Sequence, residues 1–419
     1  MNQLSGRAAR ITLVAILLLG LSIRLAWVFH QSSDVATFSQ LPDQREYLEL
    51  GAHLLHHDGF WLADPRFLQV VYAYRTPGYP FLIRWCDAQP TMIRAVQAAL
   101  DTSTILSIYL LAKRWLPPHA ALLAALLVAL DPFLIYFTGL ILSETFFTAL
   151  LCWGIVLLVV SDGPWPKGKL RLTAWLAGGL LLALSVLVRP GAIAIPVALG
   201  WAAALVNRHR QPSYRSHWPL PVGATMLLLT AVVLLPWAAR NRWVLGSWIW
   251  TSTNAGITTY DGFNPDATGA SDQSFATAMP WTRDMTEVGR SLYFARLADE
   301  WMQEHPLEAI ELAFVKIGRT WSPIPLSAEY GRRGLYVAVG ICFGIVFYGL
   351  TLLGLWQGDL PRPVKQFFLL PALYFTVAAV LSVGSLRYRI PAQPPMAIVA
   401  ASVCRRRKSI ANSAAQMDG

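Results

Sequence analysis

Ten apolar stretches recur along this chain of 419 residues, and no soluble core has use for so many. A run of roughly 17–25 apolar residues matches a hydrocarbon layer of ~30 Å, so the pattern reads as repeated membrane crossing. The spans are expected near residues 11–30, 91–112, 118–136, 141–160, 172–188, 191–206, 219–237, 333–356, 367–383 and 391–403. The last is short, and counts of eight or eleven are also compatible with the pattern. Composition agrees: 55% of residues are hydrophobic, 14% are charged, and mean hydropathy is +0.44. The fold class expected is an all-α polytopic membrane protein. Its first span follows Arg7 and Arg10, contains Arg24 and lacks a small-x-small cleavage site, so a retained signal anchor is expected.

Positive charge sets the orientation, because cytoplasmic loops retain lysine and arginine. Arg7 and Arg10, Lys113 and Arg114, Lys167, Lys169 and Arg171, Arg208, Arg210 and Arg215, Arg362 and Lys365, and Arg405 to Lys408 all fall on one side of the ten-span layout. Both ends are thus expected in the cytoplasm, with loops 31–90 and 239–332 facing outward. Loop 31–90 has seven acids and four bases and loop 239–332 has eleven and eight, so together they carry −6 in a chain of net charge +10. The basic excess is a topology signal on the inner face, and no nucleic-acid partner is expected. Among the cysteines only Cys86 lies outward, so no disulfide can form within the outer loops, and no Cys/His pattern has metal-ligand spacing.

Loop 31–90 begins with DQREYLELGAHLLHH, where Tyr47, Leu50 and Leu54 share one helical face with Leu55 beside them. This predicts an amphipathic helix along the membrane surface. Asp43 falls in its first turn, where a carboxylate is either a helix cap or a proton acceptor. The segment 239–332 starts irregular and then turns helical through SLYFARLADEWMQEH and PLEAIELAFVKIGRTW, forming a small outer elaboration. Its stretch STNAGITTYDGFNP either lines a binding site or packs the loop.

Several ionisable residues sit at the outward ends of spans, where they cost free energy unless they face a partner or a cavity. Glu144 interrupts the apolar run GLILSETFFTALL. Arg189 stands in LVRPGA, Arg240 and Asn241 in PWAARN, and Arg387, Tyr388 and Arg389 in SLRYRIP; Tyr74 and Arg75 in AYRTPGYPF add a further cation. A snorkelling anchor explains any one of them. Their recurrence on one side suits an anionic ligand, and phosphate is the group that arginine's planar fork matches.

DQREY followed by RTPGYP, then SETFF, VRPGA, PWAARNRWVLGSW with STNAGITTY, EHP with KIGRTW, and RYRIP occur in that order across roughly residues 24–395. In these features the chain resembles the GT-C class of integral-membrane glycosyltransferases, which includes protein O-mannosyltransferases and the transferase that adds aminoarabinose to lipid A. The resemblance implies a GT-C-like bundle of about ten transmembrane helices, with amphipathic surface helices in the first outer loop and a small outer domain. It implies a transmembrane catalytic module over residues 1–238, an outer domain over 239–332, and C-terminal helices with a basic tail over 333–419. It further implies an inverting transfer of a hexosyl or pentosyl unit from a polyprenyl-phosphate sugar to a lipid, glycan or protein acceptor at the periplasmic face of a bacterial inner membrane.

By that resemblance Asp43 is the general base and Glu144 assists it. Arg75, Arg189, Arg240, Arg387 and Arg389 would hold the donor phosphate, and Tyr74, Asn241 and Tyr388 would line the substrate. Asp43 is followed by Gln44 rather than by the second acid of the O-mannosyltransferases, and neither a WWDYG-type motif nor an outward Asp-x-Asp is present. No catalytic metal and no cofactor are expected. A glycolipid transporter would use the same arginines without needing Asp43 as a base, and in a non-catalytic envelope-assembly protein the charged residues would be structural.

Overall fold

The structure, a computed structural model, describes residues 6–32, 41–160, 169–210, 219–324 and 334–404. Lys167, Arg215 and the basic run Arg405 to Lys408, which the orientation argument uses, lie outside the described residues. In chain order the helices are α1 Gly6–His30, α2 Pro42–His56, α3 Gly78–Trp85, α4 Pro90–Ala112, α5 Pro118–Ala129, α6 Pro132–Thr138, α7 Glu144–Val160, α8 Lys169–Val188 and α9 Ile195–Arg210. They continue as α10 Pro219–Leu245, α11 Asn254–Gly262, α12 Phe275–Ala278, α13 Glu287–Glu304, α14 Pro306–Trp321, α15 Gly334–Gln357, α16 Arg362–Val380 and α17 Gln393–Ala401.

Among the described residues six helical segments are long and apolar enough to cross a membrane: Gly6–His30, Pro90–Ala112, Pro190–Asn207, Val222–Leu245, Gly334–Gln357 and Arg362–Val380. The protein is an integral, multi-pass membrane protein. The segment expected as one span at 118–136 is instead the pair α5 and α6, bent by 49°. Glu144–Val160 and Leu172–Val188 are shorter apolar helices. The expected tenth span, at 391–403, is not of spanning length. Helix α17 has nine residues, all of them buried among α4, α5, α15 and α16. At about 1.5 Å per residue it rises less than half of the ~30 Å layer. A fully enclosed helix and a membrane span have the same apolar composition, so hydropathy does not separate them.

The bend between α5 and α6 explains why Arg24 lies inside an apolar helix. Pro132 ends the hydrogen-bond ladder, leaving the last carbonyls of α5 without helical donors. Arg24 reaches across from α1 and donates to Val128 O at 3.1 Å and Ala129 O at 3.0 Å, while its Nε meets Asp101 of α4 at 2.5 Å. Asp131 caps the new start by accepting from the amides of Phe133 and Leu134. One buried arginine thus ties three helices together at a point where irregular backbone would otherwise be unsatisfied.

The two long loops do not stand apart. Phe60, Phe67 and Tyr74 of the first share a buried apolar cluster with Tyr260, Phe294 and Trp301 of the second. The first loop also holds a small antiparallel hairpin, β1 Leu62–Asp64 with β2 Gln69–Val71, so the molecule is not wholly helical. Its turn is closed by Asp64, whose Oδ1 accepts from the amide of Arg66 at 2.9 Å.

Arg24→Ala is expected to lower the thermal midpoint of the detergent-solubilised protein steeply, because removing one member of a buried ion pair strands the other at a cost of about 3–5 kcal/mol. Arg24→Ala with Asp101→Ala should recover part of the loss. A midpoint unchanged in Arg24→Ala would show that the pair does not hold the bend.

Candidate active site

Helix α2 starts at Pro42 and takes no side-chain cap from its N-terminal flank, so Asp43 stands in the first turn with its carboxylate free to point away from the helix amides. Its oxygens go to guanidinium groups instead. Oδ1 accepts from Arg75 Nη2 at 2.5 Å, and Oδ2 accepts from Arg387 Nη1 at 2.5 Å. The Asp43 carboxylate therefore faces charged partners and does not cap the helix.

The contacts continue on both sides. Arg75 also donates from Nε to Glu46 Oε2 at 2.8 Å, and Arg66 lies 3.6 Å from Glu46 Oε1. Arg387 donates from Nε to Glu144 Oε1, and Arg189 Nη1 lies 3.3 Å from the same oxygen. Glu144 is the first residue of α7 and is fully buried; its second oxygen, Oε2, is buried with no hydrogen-bond partner. Carboxylates and guanidiniums therefore alternate in a row: Glu46, Arg75, Asp43, Arg387, Glu144, Arg189. Asp43, with 28% of its side chain exposed, is the most open carboxylate of the three, against 7% for Glu46 and 0% for Glu144.

Local sequence explains how distant segments meet here. Gly78 starts α3 against the end of α8, where a Cβ would lie 2.7 Å from the carbonyl of Leu187, so RTPGYP brings Arg75 close to the turn that carries Arg189. Gln44, next to Asp43, accepts from the amide of Ile141 at 2.8 Å and fixes α2 to the approach to α7. Arg387 stands in a 3-10 turn, Leu386–Tyr388, whose Ser385 hydroxyl accepts from the Arg387 amide at 3.4 Å. Aromatic faces back the cations: Tyr74 lies 5.1 Å from the Arg75 guanidinium carbon, and Tyr388 lies 5.6 Å from that of Arg189.

The charges shift one another. Burial raises the proton affinity of Asp43, but Arg75 and Arg387 outweigh it and hold the carboxyl well below the usual carboxylate range. Glu46 goes the other way: burial pushes it up, helped by the charge of Asp43, and Arg75 and Arg66 only partly offset this. The two carboxyl groups that share the Arg75 guanidinium are thus shifted in opposite directions.

Of the residues singled out in the sequence, Asp43, Arg75, Glu144, Arg189 and Arg387 meet in this cluster, with Tyr74 and Tyr388 beside it. Arg240, Asn241 and Arg389 do not. Arg240 spends its fork on the carbonyls of Tyr72 and Phe60, each at 2.6 Å, and Asn241 donates to Ile249 O at 2.9 Å. Arg389 is fully buried, donating to Tyr348 Oη at 2.8 Å and to the Ser322 carbonyl, with its guanidinium carbon 4.2 Å from the Phe133 ring centroid. Glu46 is the residue the sequence reading missed. Its signal was the spacing of three from Asp43, which puts both acids on one helical face. Among the described residues no group of three or more His, Cys, Asp and Glu side chains is placed to hold a metal ion.

Residues 81–237 match the sequence model of a family described as dolichyl-phosphate-mannose-protein mannosyltransferase. None of the curated proteins matches this chain in sequence. Among solved structures, the oligosaccharyltransferase AglB of Archaeoglobus fulgidus, in complex with an inhibitory peptide and a dolichol-phosphate, aligns with a TM-score of 0.55 and 14% identity over 95% of this chain and 50% of that one. An Archaeoglobus fulgidus oligosaccharyltransferase in the apo form aligns with a TM-score of 0.55 and 14% identity over 99% of this chain and 52% of that one. The chain spans about half the length of these structures. The chain thus shares its fold with the oligosaccharyltransferase AglB, and its residues 81–237 match the dolichyl-phosphate-mannose-protein mannosyltransferase family model.

Proposed function

We propose that this protein is an inverting membrane glycosyltransferase that moves a hexosyl or pentosyl unit from a polyprenyl-phosphate sugar to a lipid, glycan or protein acceptor. The observation that carries the proposal is the position of Asp43, a partly exposed carboxylate held between Arg75 and Arg387. A proton acceptor beside cations that fit a phosphate is the pair of functions this reaction needs. The match to a dolichyl-phosphate-mannose-dependent family, and the dolichol-phosphate named in the AglB complex, support a donor of this class. On this reading the site faces the periplasm of a bacterial inner membrane, in line with the placement of lysine and arginine along the chain.

The chemistry distributes over the row of charges as follows. The acceptor hydroxyl gives its proton to Asp43 as its oxygen attacks the anomeric carbon. The bond from that carbon to the phosphate oxygen breaks with its electron pair, so the polyprenyl phosphate leaves as an anion and the anomeric configuration inverts. Arg387 and Arg189 stabilise the charge that grows on the leaving oxygen. Glu144 keeps both arginines in place, and Glu46 does so for Arg75. Arg387 serves two anions in turn: as its fork turns to the donor phosphate, Asp43 loses a cation and its proton affinity rises. Donor binding thereby makes Asp43 a better base at the moment a base is needed.

Asp43→Asn should lower sugar transfer by about a hundredfold or more while donor binding persists, since the amide keeps the shape but takes no proton. Transfer equal to wild type would remove Asp43 from the mechanism. Arg387→Ala should weaken donor binding by about tenfold or more, the worth of a charge-assisted contact to phosphate. Arg45→Ala, at an exposed position on the same helix α2, should leave binding unchanged, and equal affinities in the two variants would contradict the phosphate site. The pH profile supplies a third check. A base works only when ionised, so kcat/KM falls as pH drops through its pKa, and the cations around Asp43 place that limb low. Arg387→Ala removes one of them and should move the acid limb to higher pH; a limb at or below the wild-type position would show that Arg387 does not set the proton affinity of the base.

A further inference from the structure

Arg75 touches two carboxylates of α2, Asp43 and Glu46, yet it lies in a stretch with no helix or strand of its own, since β2 ends at Val71 and α3 begins at Gly78. Something else must fix it. The backbone of Tyr72 and Ala73, three and two residues before Arg75, is bound at every polar group by the second long loop and the end of α10. The amide of Tyr72 donates to Glu287 Oε2 at 2.6 Å, and the amide of Ala73 donates to Glu287 Oε1 at 2.9 Å. The carbonyl of Ala73 accepts from the amide of Thr253 at 2.9 Å, and the carbonyl of Tyr72 accepts from Arg240 at 2.6 Å. Thr253 Oγ1 also donates to Glu287 Oε1 at 2.5 Å.

We infer that Glu287 is a positioning residue, whose carboxylate clamps the Tyr72–Ala73 backbone and so sets where Arg75 stands between Asp43 and Glu46. This rests on the glycosyltransferase reading for its consequence in turnover, though not for the clamp itself. Three donors converge on Glu287, two amides and one hydroxyl, and an ionised carboxylate is the side chain that offers only acceptors. Glu287 is the first residue of α13, where a negative charge is favoured by the helix dipole, and it is buried. The lever is short: two residues of chain span at most ~7 Å, so a slip of the backbone at Ala73 is carried to Arg75 with little loss. Tyr74 stiffens the link, buried with its ring 4.7 Å from the Arg66 guanidinium carbon and 5.1 Å from that of Arg75. The carboxylate that governs Arg75 therefore comes from a helix more than two hundred residues away, in the loop that packs on this one.

Two measurements on the full-length protein in lipid nanodiscs test this. The first is amide hydrogen exchange in Glu287→Gln, where the carboxamide turns a donor toward one of the three donors. Tyr72 and Ala73 should exchange faster while the amides of α13 stay protected; unchanged exchange at both would overturn the clamp. The second is a double-mutant cycle in donor-dependent transfer. Glu287→Gln should lower kcat by about tenfold or more, as expected when a reacting constellation is misplaced. In an Arg75→Ala background the same change should cost less than about twofold, because neighbours acting through one group are not additive. Glu287→Asp, which keeps an acceptor-only group, should recover part of the loss that the amide causes. Losses that multiply in the cycle would mean that Glu287 does not act through Arg75. If the wild type transfers no sugar, the glycosyltransferase reading falls and the clamp is decided by exchange alone.

Discussion

Asp43 stands between two guanidinium groups that come from opposite ends of the chain, and the rest of the site is built to keep them there. Arg75 belongs to the same loop, while Arg387 lies more than three hundred residues on, in a turn between α16 and α17. Each is held from behind by a second carboxylate, Glu46 for Arg75 and Glu144 for Arg387. An unpaired charge in a buried setting costs several kcal/mol, so each member of this row is stabilised by its neighbours. That mutual dependence fixes α2, the RTPGYP segment, the start of α7 and the last 3-10 turn relative to one another.

The same arrangement carries a chemical tension. The cations that keep Asp43 ionised also make it a weak base, and a weak base alone takes a proton from a hydroxyl slowly. The tension resolves if a phosphate arrives, because arginine's fork matches phosphate as well as carboxylate. Glu144 enters here through its unpaired buried oxygen, which leaves Arg387 and Arg189 a second geometry on the same carboxylate. The site is then an exchange of partners among fixed charges rather than a movement of helices.

Much of the frame was legible in the sequence, and the reasons for the misses are physical. Long apolar runs announce spanning helices because length and composition decide them together, as at Gly6–His30 and Gly334–Gln357. The nine-residue α17 was misread since a helix enclosed by protein is as apolar as one in lipid. Glu144, Arg189 and Arg387 drew notice as charges in costly places, Asp43 and Arg75 as charges of the first outer loop, and they do meet. Arg240 and Arg389 drew notice on the same grounds, but Arg240 spends its fork on backbone carbonyls, and Arg389 donates from Nη1 to backbone carbonyls and a tyrosine hydroxyl away from this row. From sequence an arginine that binds a ligand and one that satisfies a loop are the same letter. Glu46 was passed over because the helix was read for its apolar face. Glu287 gave no signal at all, since its partners are two main-chain amides and a threonine hydroxyl that only the fold brings together.

The proposed reaction requires that Arg387 be shared between Asp43 and a lipid phosphate. It is tested most directly by determining the structure in a lipid nanodisc with a polyprenyl phosphate bound. The account predicts phosphate oxygens within hydrogen-bond reach of the Arg387 guanidinium, with that guanidinium withdrawn from Asp43. A phosphate bound elsewhere, with the Asp43 to Arg387 pair intact, would contradict it.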